Sequence, residues 1–251
     1  MTSKKTLCAL QFAYESAALA SNAKTLRHLI LQSPEESIVL APELCLSGYR
    51  YEAMHEAALF SASFIPELCE LSLHKSLGLT LITQEEEGFF NTFMLFHKGA
   101  CVYTQHKAKL FALGDEEKHF HAGKTEAIRI IDIEGIKIAV LICFELRFTA
   151  LWEQIKGADI ILIPSFWGAP RKGHLETLTS ALAIANQAYV ICANSADTGM
   201  ARSSGIISPF GNAYRDDQST LLAHPFDAQE IKKMRRYIDI GLNTHASHGS
   251  F

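Results

Sequence analysis

The sequence lacks the features that mark several large classes of protein. Its 23 Lys and Arg residues stand against 27 Asp and Glu residues, which excludes the broad basic surface that non-specific nucleic-acid or anionic-membrane binding requires. No apolar run approaches the roughly 20 residues of a membrane-spanning helix. Neither GxGxxG nor GxSxG occurs, and Gly123-Lys124-Thr125 lacks the earlier glycine of a phosphate-binding loop. We therefore expect small-molecule partners, with no nucleic acid and no membrane.

Cysteine is scarce, and its spacing is not that of a disulfide framework. The six cysteines stand singly, with no CxxC pair and no short disulfide spacing. The first apolar stretch is interrupted at Gln11, Tyr14 and Glu15, so it is too short for the core of a signal peptide. These features predict a cytoplasmic protein with reduced thiols.

The hydrophobic pattern predicts one layered α/β domain over residues 1–251. Apolar residues make up 48% of the chain, and no low-complexity linker divides it. Hairpins are expected around Lys98-Gly99 and Glu134-Gly135, and residues 245–251 are expected to form a flexible or interface tail. Periodicity predicts strands at 6–12, 37–41, 79–83, 91–96, 100–106, 127–133, 137–143, 160–164, 189–193 and 205–208, and helices at 15–32, 66–77, 151–156, 177–187 and 227–236.

Cys143 stands at a predicted strand-to-helix elbow. It ends the apolar strand Lys137-Ile138-Ala139-Val140-Leu141-Ile142, and a helical period begins directly after it. A nucleophile at such a turn projects from the carboxyl end of a sheet, where amides of the helix start can stabilise an anion. The alternative is an inert thiol in the core.

Glu43 and Lys107 also stand at the ends of predicted strands: Glu43 follows the buried strand at 37–41 and Pro42, and Lys107 closes the strand at 100–106. A charged side chain at such a position is costly unless it is paired or used. Sites of open α/β sheets collect at the carboxyl ends of strands, so we expect Glu43, Lys107 and Cys143 to converge.

Three segments, APELCLSGY, HKAKLF and ICFELRF, occur in this order. With them the chain resembles the nitrilase superfamily of carbon–nitrogen hydrolases, from Thr6 to about Thr244. The resemblance implies a four-layer α-β-β-α sandwich that commonly pairs through its outer helices, so a homodimer or larger homo-oligomer is expected. It also implies hydrolysis of a small-molecule amide with no metal and no cofactor.

The resemblance also implies roles for individual residues. Cys143 takes the place of the nucleophile, Glu43 that of the general base, and Lys107 that of the cation which, with the Phe144 backbone N–H, stabilises the oxyanion. Glu116, seven residues before Gly123, aligns best with a second active-site glutamate. Glu117 is the alternative for that role.

Other positions bear on the substrate. Arg147 follows the elbow by one helical turn and can meet a substrate carboxylate or form a structural ion pair. Phe166 and Trp167 are candidates for an apolar pocket wall, with core packing as the alternative. Where relatives usually carry Asp two residues after the nucleophile, this chain has Glu145, a departure that weakens any transfer of a subfamily's substrate.

The leading hypothesis is therefore an amidase for small linear amides, with ω-amides of short dicarboxylates as the expected substrates. Hydrolysis of N-carbamoyl amines or of nitriles uses the same three residues and stays open. A catalytically silent scaffold of the same fold is the alternative outside the enzymes.

Overall fold

Two six-stranded sheets pack face to face, and helices cover their outer faces, in a computed structural model that describes residues 5–242. This arrangement confirms the predicted α-β-β-α sandwich. The expected tail at 245–251 lies outside the described residues. No helix within 5–242 is long and apolar enough to cross a membrane.

The first sheet has three parallel strands at its centre and antiparallel strands on both sides. Its strands, in spatial order, are β12 (Leu221–Pro225), β1 (Thr6–Leu10), β2 (Ser37–Leu40), β3 (Ser76–Glu85), β4 (Gly88–His97) and β5 (Ala100–His106).

The second sheet repeats this plan, with β7, β8 and β9 parallel and the outer strands antiparallel. Its strands, in spatial order, are β11 (Ala213–Arg215), β10 (Gly205–Ile207), β9 (Tyr189–Asn194), β8 (Ile160–Ser165), β7 (Ile136–Val140) and β6 (Ile131–Ile133).

The central strands are apolar on both faces because each sheet is covered on both sides. Along β1, Leu7 and Ala9 face the second sheet, while Cys8 and Leu10 face outer helices. The helices are α1 (Leu19–Gln32), α2 (Met54–Leu71), α3 (Glu116–His119), α4 (Thr149–Gln154), α5 (Lys172–Asn186) and α6 (Ala228–Tyr237).

The predicted helix at 66–77 is wrong at both ends. The helix is α2, which begins at Met54, with Pro66 inside it. Pro66 is exposed, so the carbonyl that loses its hydrogen bond there faces water. Residues from Ser76 onwards join β3 instead, where Leu77 and Leu79 are buried on the same face.

Other boundaries differ from the prediction at element ends. α1 begins at Leu19 rather than at residue 15, and the strand expected at 127–133 contains only Ile131–Ile133. The short strands β11 and β12 were not predicted. β11 is largely exposed and carries no apolar run that would indicate a strand. Both hairpins are confirmed, with His97 paired to Ala100 and Ile133 paired to Ile136.

The elbow after β7 differs from the prediction in the type of helix. Cys143–Arg147 form a 3₁₀ helix, and α4 begins only at Thr149. Cys143 has a positive φ of 49°, which is uncommon for a residue with a side chain and is a form of local strain found at functional turns.

Candidate active site

The carboxyl ends of strands from both sheets meet at one edge of the sandwich. β2 and β5 run in the same direction, because β5 is antiparallel to β4 and β4 is antiparallel to β3. The Glu43 backbone N–H donates to the carbonyl of Ser165, at the end of β8, over 3.2 Å. Residues that follow β2, β5, β7 and β8 are thereby brought together.

Glu43 is buried, and within residues 5–242 only one of its two carboxylate oxygens accepts hydrogen bonds. Its side chain is fully buried. Oε1 accepts from Lys107 Nζ at 2.8 Å and from Asn91 Nδ2 at 2.9 Å. Oε2 is buried and has no hydrogen-bond partner among residues 5–242. One oxygen is thus held in place while the other is free to accept a proton.

Lys107 is fully buried between two carboxylates. Its Nζ lies 2.8 Å from Glu43 Oε1, 2.8 Å from Glu116 Oε1 and 3.4 Å from the Tyr49 hydroxyl. Burial alone lowers the pKa of this ammonium, but the neighbouring carboxylates outweigh it and the pKa is raised. Lys107 is therefore a permanent cation in this site.

The Lys107 backbone is held as tightly as its side chain. Its N–H donates to the Asn91 carbonyl and its carbonyl accepts from the Gly123 N–H, both at 2.8 Å. A Cβ at Gly123 would lie 2.5 Å from the His106 carbonyl, so only glycine fits this close approach.

Glu116 is brought to Lys107, whereas Glu117 is exposed. Glu116 Oε2 accepts from the Phe111 backbone N–H at 3.2 Å. Burial raises the pKa of Glu116, while the adjacent Lys107 lowers it, and the net direction is upward.

Cys143 lies beside this charged group with its side chain nearly buried. Its Sγ accepts from the Phe166 backbone N–H at 3.5 Å. Burial raises the pKa of the thiol well above its usual range, the charge of Glu43 raises it further, and Lys107 opposes the rise. The sulfur is thus a thiol at neutral pH, and it needs a base beside it to become a nucleophile.

A cavity of about 300 Å³ opens onto Cys143. Predicted pocket residues Phe144, Arg147, Phe166 and Trp167 all line it, together with Glu116 and the aromatic rings of Tyr49, Tyr51 and Phe111. Phe144 is the second residue of the 3₁₀ helix Cys143–Arg147, in the first turn, where backbone N–H groups have no partner within the helix. Its N–H is therefore available as a donor at the cavity wall.

Arg147 is a cation at the cavity wall without a carboxylate. Its guanidinium lies 4.6 Å from the Trp167 ring, and Nη2 lies 3.1 Å from His174 Nδ1. Within residues 5–242 it forms no ion pair, so the structural ion pair considered from the sequence is not found there. Arg171 lines the same cavity and lies over the Phe111 ring at 5.4 Å.

Comparisons with known proteins match this architecture. The family model for carbon-nitrogen hydrolase matches residues 6–230. The chain belongs to the carbon-nitrogen hydrolase family. Its relatives include the omega-amidase YafV of Escherichia coli K12, 31% identical over 163 residues. That match covers 62% of this chain and 61% of YafV, so it spans under two thirds of that relative.

Two further matches cover nearly the whole of this chain. The 2-oxoglutaramate amidase of Bacillus subtilis is 26% identical over 252 residues, covering 94% of this chain and 96% of that one. XC1258 from Xanthomonas campestris, a CN-hydrolase superfamily protein of solved structure, superposes with a TM-score of 0.80 at 21% identity, covering 93% and 94%. The predicted family is thus confirmed, and so is its fold.

Asn91 is a residue of this carbon-nitrogen hydrolase site that the sequence argument missed. Its side chain donates to Glu43 and its backbone carbonyl accepts from Lys107. In the sequence, Asn91 is a polar residue at the start of the apolar strand segment 91–96. In the structure it is completely buried. Strand periodicity does not reveal the partner.

We expect Asn91→Ala to lower kcat by about 10- to 100-fold, the equivalent of one hydrogen bond to a charged group. The variant frees Oε1 of Glu43 from its neutral donor, so the carboxylate loses its fixed orientation. Ammonia release under saturating amide measures the change. Asn212→Ala, at an exposed position, is the matched control, and equal kcat values for the two variants would contradict this role.

Proposed function

We propose that this chain is an amidase that hydrolyses the C–N bond of a small linear amide through a thioester on Cys143. The observation that carries the proposal is the cluster itself: a buried lysine 2.8 Å from two carboxylates, beside a thiol that opens onto a cavity. This combination supplies a base, a nucleophile and a fixed cation at one point.

Acylation begins when Glu43 Oε2 takes the thiol proton as Cys143 sulfur attacks the amide carbon. The carbonyl oxygen becomes an oxyanion, which Lys107 Nζ and the Phe144 N–H stabilise. The C–N bond then breaks, the nitrogen takes the proton held by Glu43, and ammonia or an amine leaves. A thioester remains on Cys143.

Deacylation uses the same groups in turn. Glu43 takes a proton from water as the water oxygen attacks the thioester carbon, and Lys107 again faces the oxyanion. The C–S bond breaks, the carboxylic acid leaves, and the proton on Glu43 returns to sulfur. Glu116 stabilises Lys107 in its position throughout, because its carboxylate is the ammonium's second partner.

We propose a carboxylate at the far end of the substrate. Arg147 supports this, since it is a cation at the cavity wall that forms no ion pair within the described residues. Two relatives, an omega-amidase and a 2-oxoglutaramate amidase, support the same substrate class. The proposed substrate is therefore the ω-amide of a short dicarboxylic acid.

The test is ammonia release from a panel of ω-amides, alkyl amides, N-carbamoyl amines and nitriles. We expect release from the amides, and the highest kcat/KM with the ω-amides. Turnover restricted to carbamoyl amines or nitriles would overturn the amidase assignment. A wild-type protein inactive on the whole panel, with Cys143 no faster to alkylate than the other five cysteines, would identify a silent scaffold.

Arg147→Ala is expected to raise the KM for succinamate by roughly 10- to 50-fold, because a charge-assisted contact to the carboxylate is lost. The KM for butyramide, which has a methyl group in place of the carboxylate, stays within about twofold. Arg27→Ala removes an exposed arginine of α1 that is paired with Glu67 and serves as control. A parallel rise for both amides would contradict carboxylate recognition.

We propose that the protein is a homodimer. Exposed apolar side chains of the second half support this: Ile184 on α5, and Tyr237 and Ile238 at the end of α6. The Gln187 side chain donates to the Ile238 carbonyl, so the ends of these two helices adjoin. Light scattering at twice the chain mass of 27.8 kDa is expected, and a monomer would contradict the proposal.

We propose a cytoplasmic location because the reaction requires a free thiol and all six cysteines are free. Cell fractionation tests this, with the protein expected beside cytoplasmic markers. Recovery outside the cytoplasm with oxidised cysteines would contradict it.

A further inference from the structure

Glu145 is a buried carboxylate whose oxygens are bound by backbone N–H groups, with no ion-pair partner among residues 5–242. It lies in the 3₁₀ helix Cys143–Arg147 and is fully buried. It forms no ion pair within residues 5–242. A buried carboxylate without a paired cation is destabilising unless hydrogen bonds compensate it, so its contacts indicate what it does.

Both oxygens of Glu145 accept from backbone N–H groups of the reactive loops. Oε1 accepts from Ala108 N at 2.6 Å, and Oε2 accepts from Ile142 N at 2.7 Å. Ala108 directly follows Lys107, and Ile142 directly precedes Cys143. One carboxylate thus joins the backbone beside the cation to the backbone beside the nucleophile.

This bridge crosses between the two sheets. Ala108 lies just after β5 of the first sheet, and Ile142 lies just after β7 of the second. The Glu145 N–H also donates to the Ile142 carbonyl at 3.0 Å, which closes the turn where Cys143 has its positive φ. The carboxylate therefore fixes both the turn and its distance from Lys107.

We propose that Glu145 is a positioning residue whose carboxylate holds the Lys107 and Cys143 loops in register, and that its protonation loosens this register and lowers activity below neutral pH. The proposal rests on the amidase function proposed above. Glu145 does not touch the reacting atoms and acts only through the two loops.

The direction of the pH effect follows from the groups around Glu145. Burial raises its pKa from the usual 4.5 to about 7, against the lowering effects of the Ile142, Ala108 and Lys109 amides and of the Lys107 charge. Above this pH both oxygens accept. Below it one oxygen carries a proton, and the N–H bond to that oxygen weakens. kcat is thus expected to fall as the pH drops through about 7.

The contribution of Glu145 to the stability of the fold has a pH dependence opposite to that of kcat. The pKa of Glu145 in the folded state is above its usual value, so the folded protein binds more protons between the two values. Its contribution to the free energy of unfolding is full below the usual pKa and is lost as the pH rises through about 7. The ionised form is therefore retained at a cost to stability.

The test compares kcat and KM from pH 5.5 to 9 in the wild type, Glu145→Gln and Glu145→Asp. In Glu145→Gln an NH₂ group replaces one acceptor at every pH. We expect kcat at pH 8.5 to fall about 10- to 100-fold with KM within threefold, and the acid limb near neutral pH to disappear. Glu145→Asp keeps the charge on a shorter side chain whose contacts with the two backbone N–H groups differ, so it is expected to recover part of kcat and to show an acid limb at a pH shifted from that of the wild type.

Glu153→Gln is the matched control, since Glu153 is exposed and paired with Lys156 on the protein surface. It is expected to keep the wild-type profile. The proposal is overturned if Glu145→Gln stays within twofold of wild type, or if its acid limb is unchanged. If Glu145→Gln does not fold in a thermal melt, an acid limb in Glu145→Asp identical to that of wild type overturns the proposal instead.

Alkylation of Cys143 by iodoacetamide distinguishes this proposal from the proposed function. If the wild type releases no ammonia from any amide, the amidase assignment fails, while alkylation still reports on the loop geometry. Both rates are expected to rise with pH because the thiolate is the form that reacts. The wild type is expected to show an additional step near neutral pH, which Glu145→Gln lacks. Identical pH profiles of the two alkylation rates would overturn the role of Glu145.

Discussion

Replacing Cys143 by serine is expected to lower kcat for amide hydrolysis by at least about 10⁴-fold. The serine hydroxyl is far harder to deprotonate than a thiol, and its oxygen is a poorer nucleophile than a thiolate sulfur, so attack on the amide carbon is slowed. The substitution changes one atom in a nearly buried position, so the fold is retained. Ammonia release and a thermal melt on the same preparation measure both quantities.

Cys101→Ser is the matched control, because Cys101 is an exposed cysteine on β5. Its activity is expected to equal that of the wild type. Activity in Cys143→Ser within tenfold of wild type, with a normal melt, would mean that the sulfur is not the nucleophile.

Lys107→Met is expected to lower kcat by about 10²- to 10³-fold, since a fixed donor to the oxyanion is removed. It is also expected to destabilise the protein by about 3–5 kcal/mol, because two buried carboxylates lose the cation between them. Methionine has a similar length and fills the same space. Denaturant unfolding and ammonia release measure the two effects.

The loss of stability in Lys107→Met is expected to depend on pH. Glu43 and Glu116 both lie within 2.8 Å of the ammonium, and without it they become a pair of like charges, which raises the pKa of one carboxylate in the variant. A raised pKa in the folded state means that the variant binds more protons folded than unfolded. Its deficit in unfolding free energy is therefore smaller at pH 5 than at pH 8.

Lys118→Met is the control for this substitution. Lys118 is exposed and forms a surface pair with Asp115, the N-cap residue of α3, and such pairs contribute less than about 1 kcal/mol. An equal loss of stability in both variants, or a deficit in Lys107→Met that does not change with pH, would contradict the buried ion cluster.

The position of the site could be predicted because it depends on strand ends. Glu43, Lys107 and Cys143 each stand at the end of a predicted strand, and strands that run in the same direction bring such ends to one edge. Phe166 and Trp167 follow β8 for the same reason. The rule needs only strand order and direction.

The contacts that support the site could not be predicted in this way. Asn91 reaches Glu43 across 48 residues of sequence, and Glu145 reaches Ala108 across 37. A single sequence records residue types and local period but not which distant backbone groups face a side chain. The sequence prediction began this helix at Pro66, whereas α2 begins at Met54. Proline is unfavourable inside a helix, but the burial of Phe64 and Leu68 against the first sheet outweighs that effect.

A covalent thioester on Cys143 is expected during turnover of an ω-amide, and rapid-quench mass spectrometry detects it. The Cys143 peptide is expected to gain the mass of the acyl group within the first turnovers, with no gain on any other cysteine peptide and no adduct in Cys143→Ser. Steady ammonia release with every cysteine peptide unmodified, or an adduct on another cysteine, would contradict it.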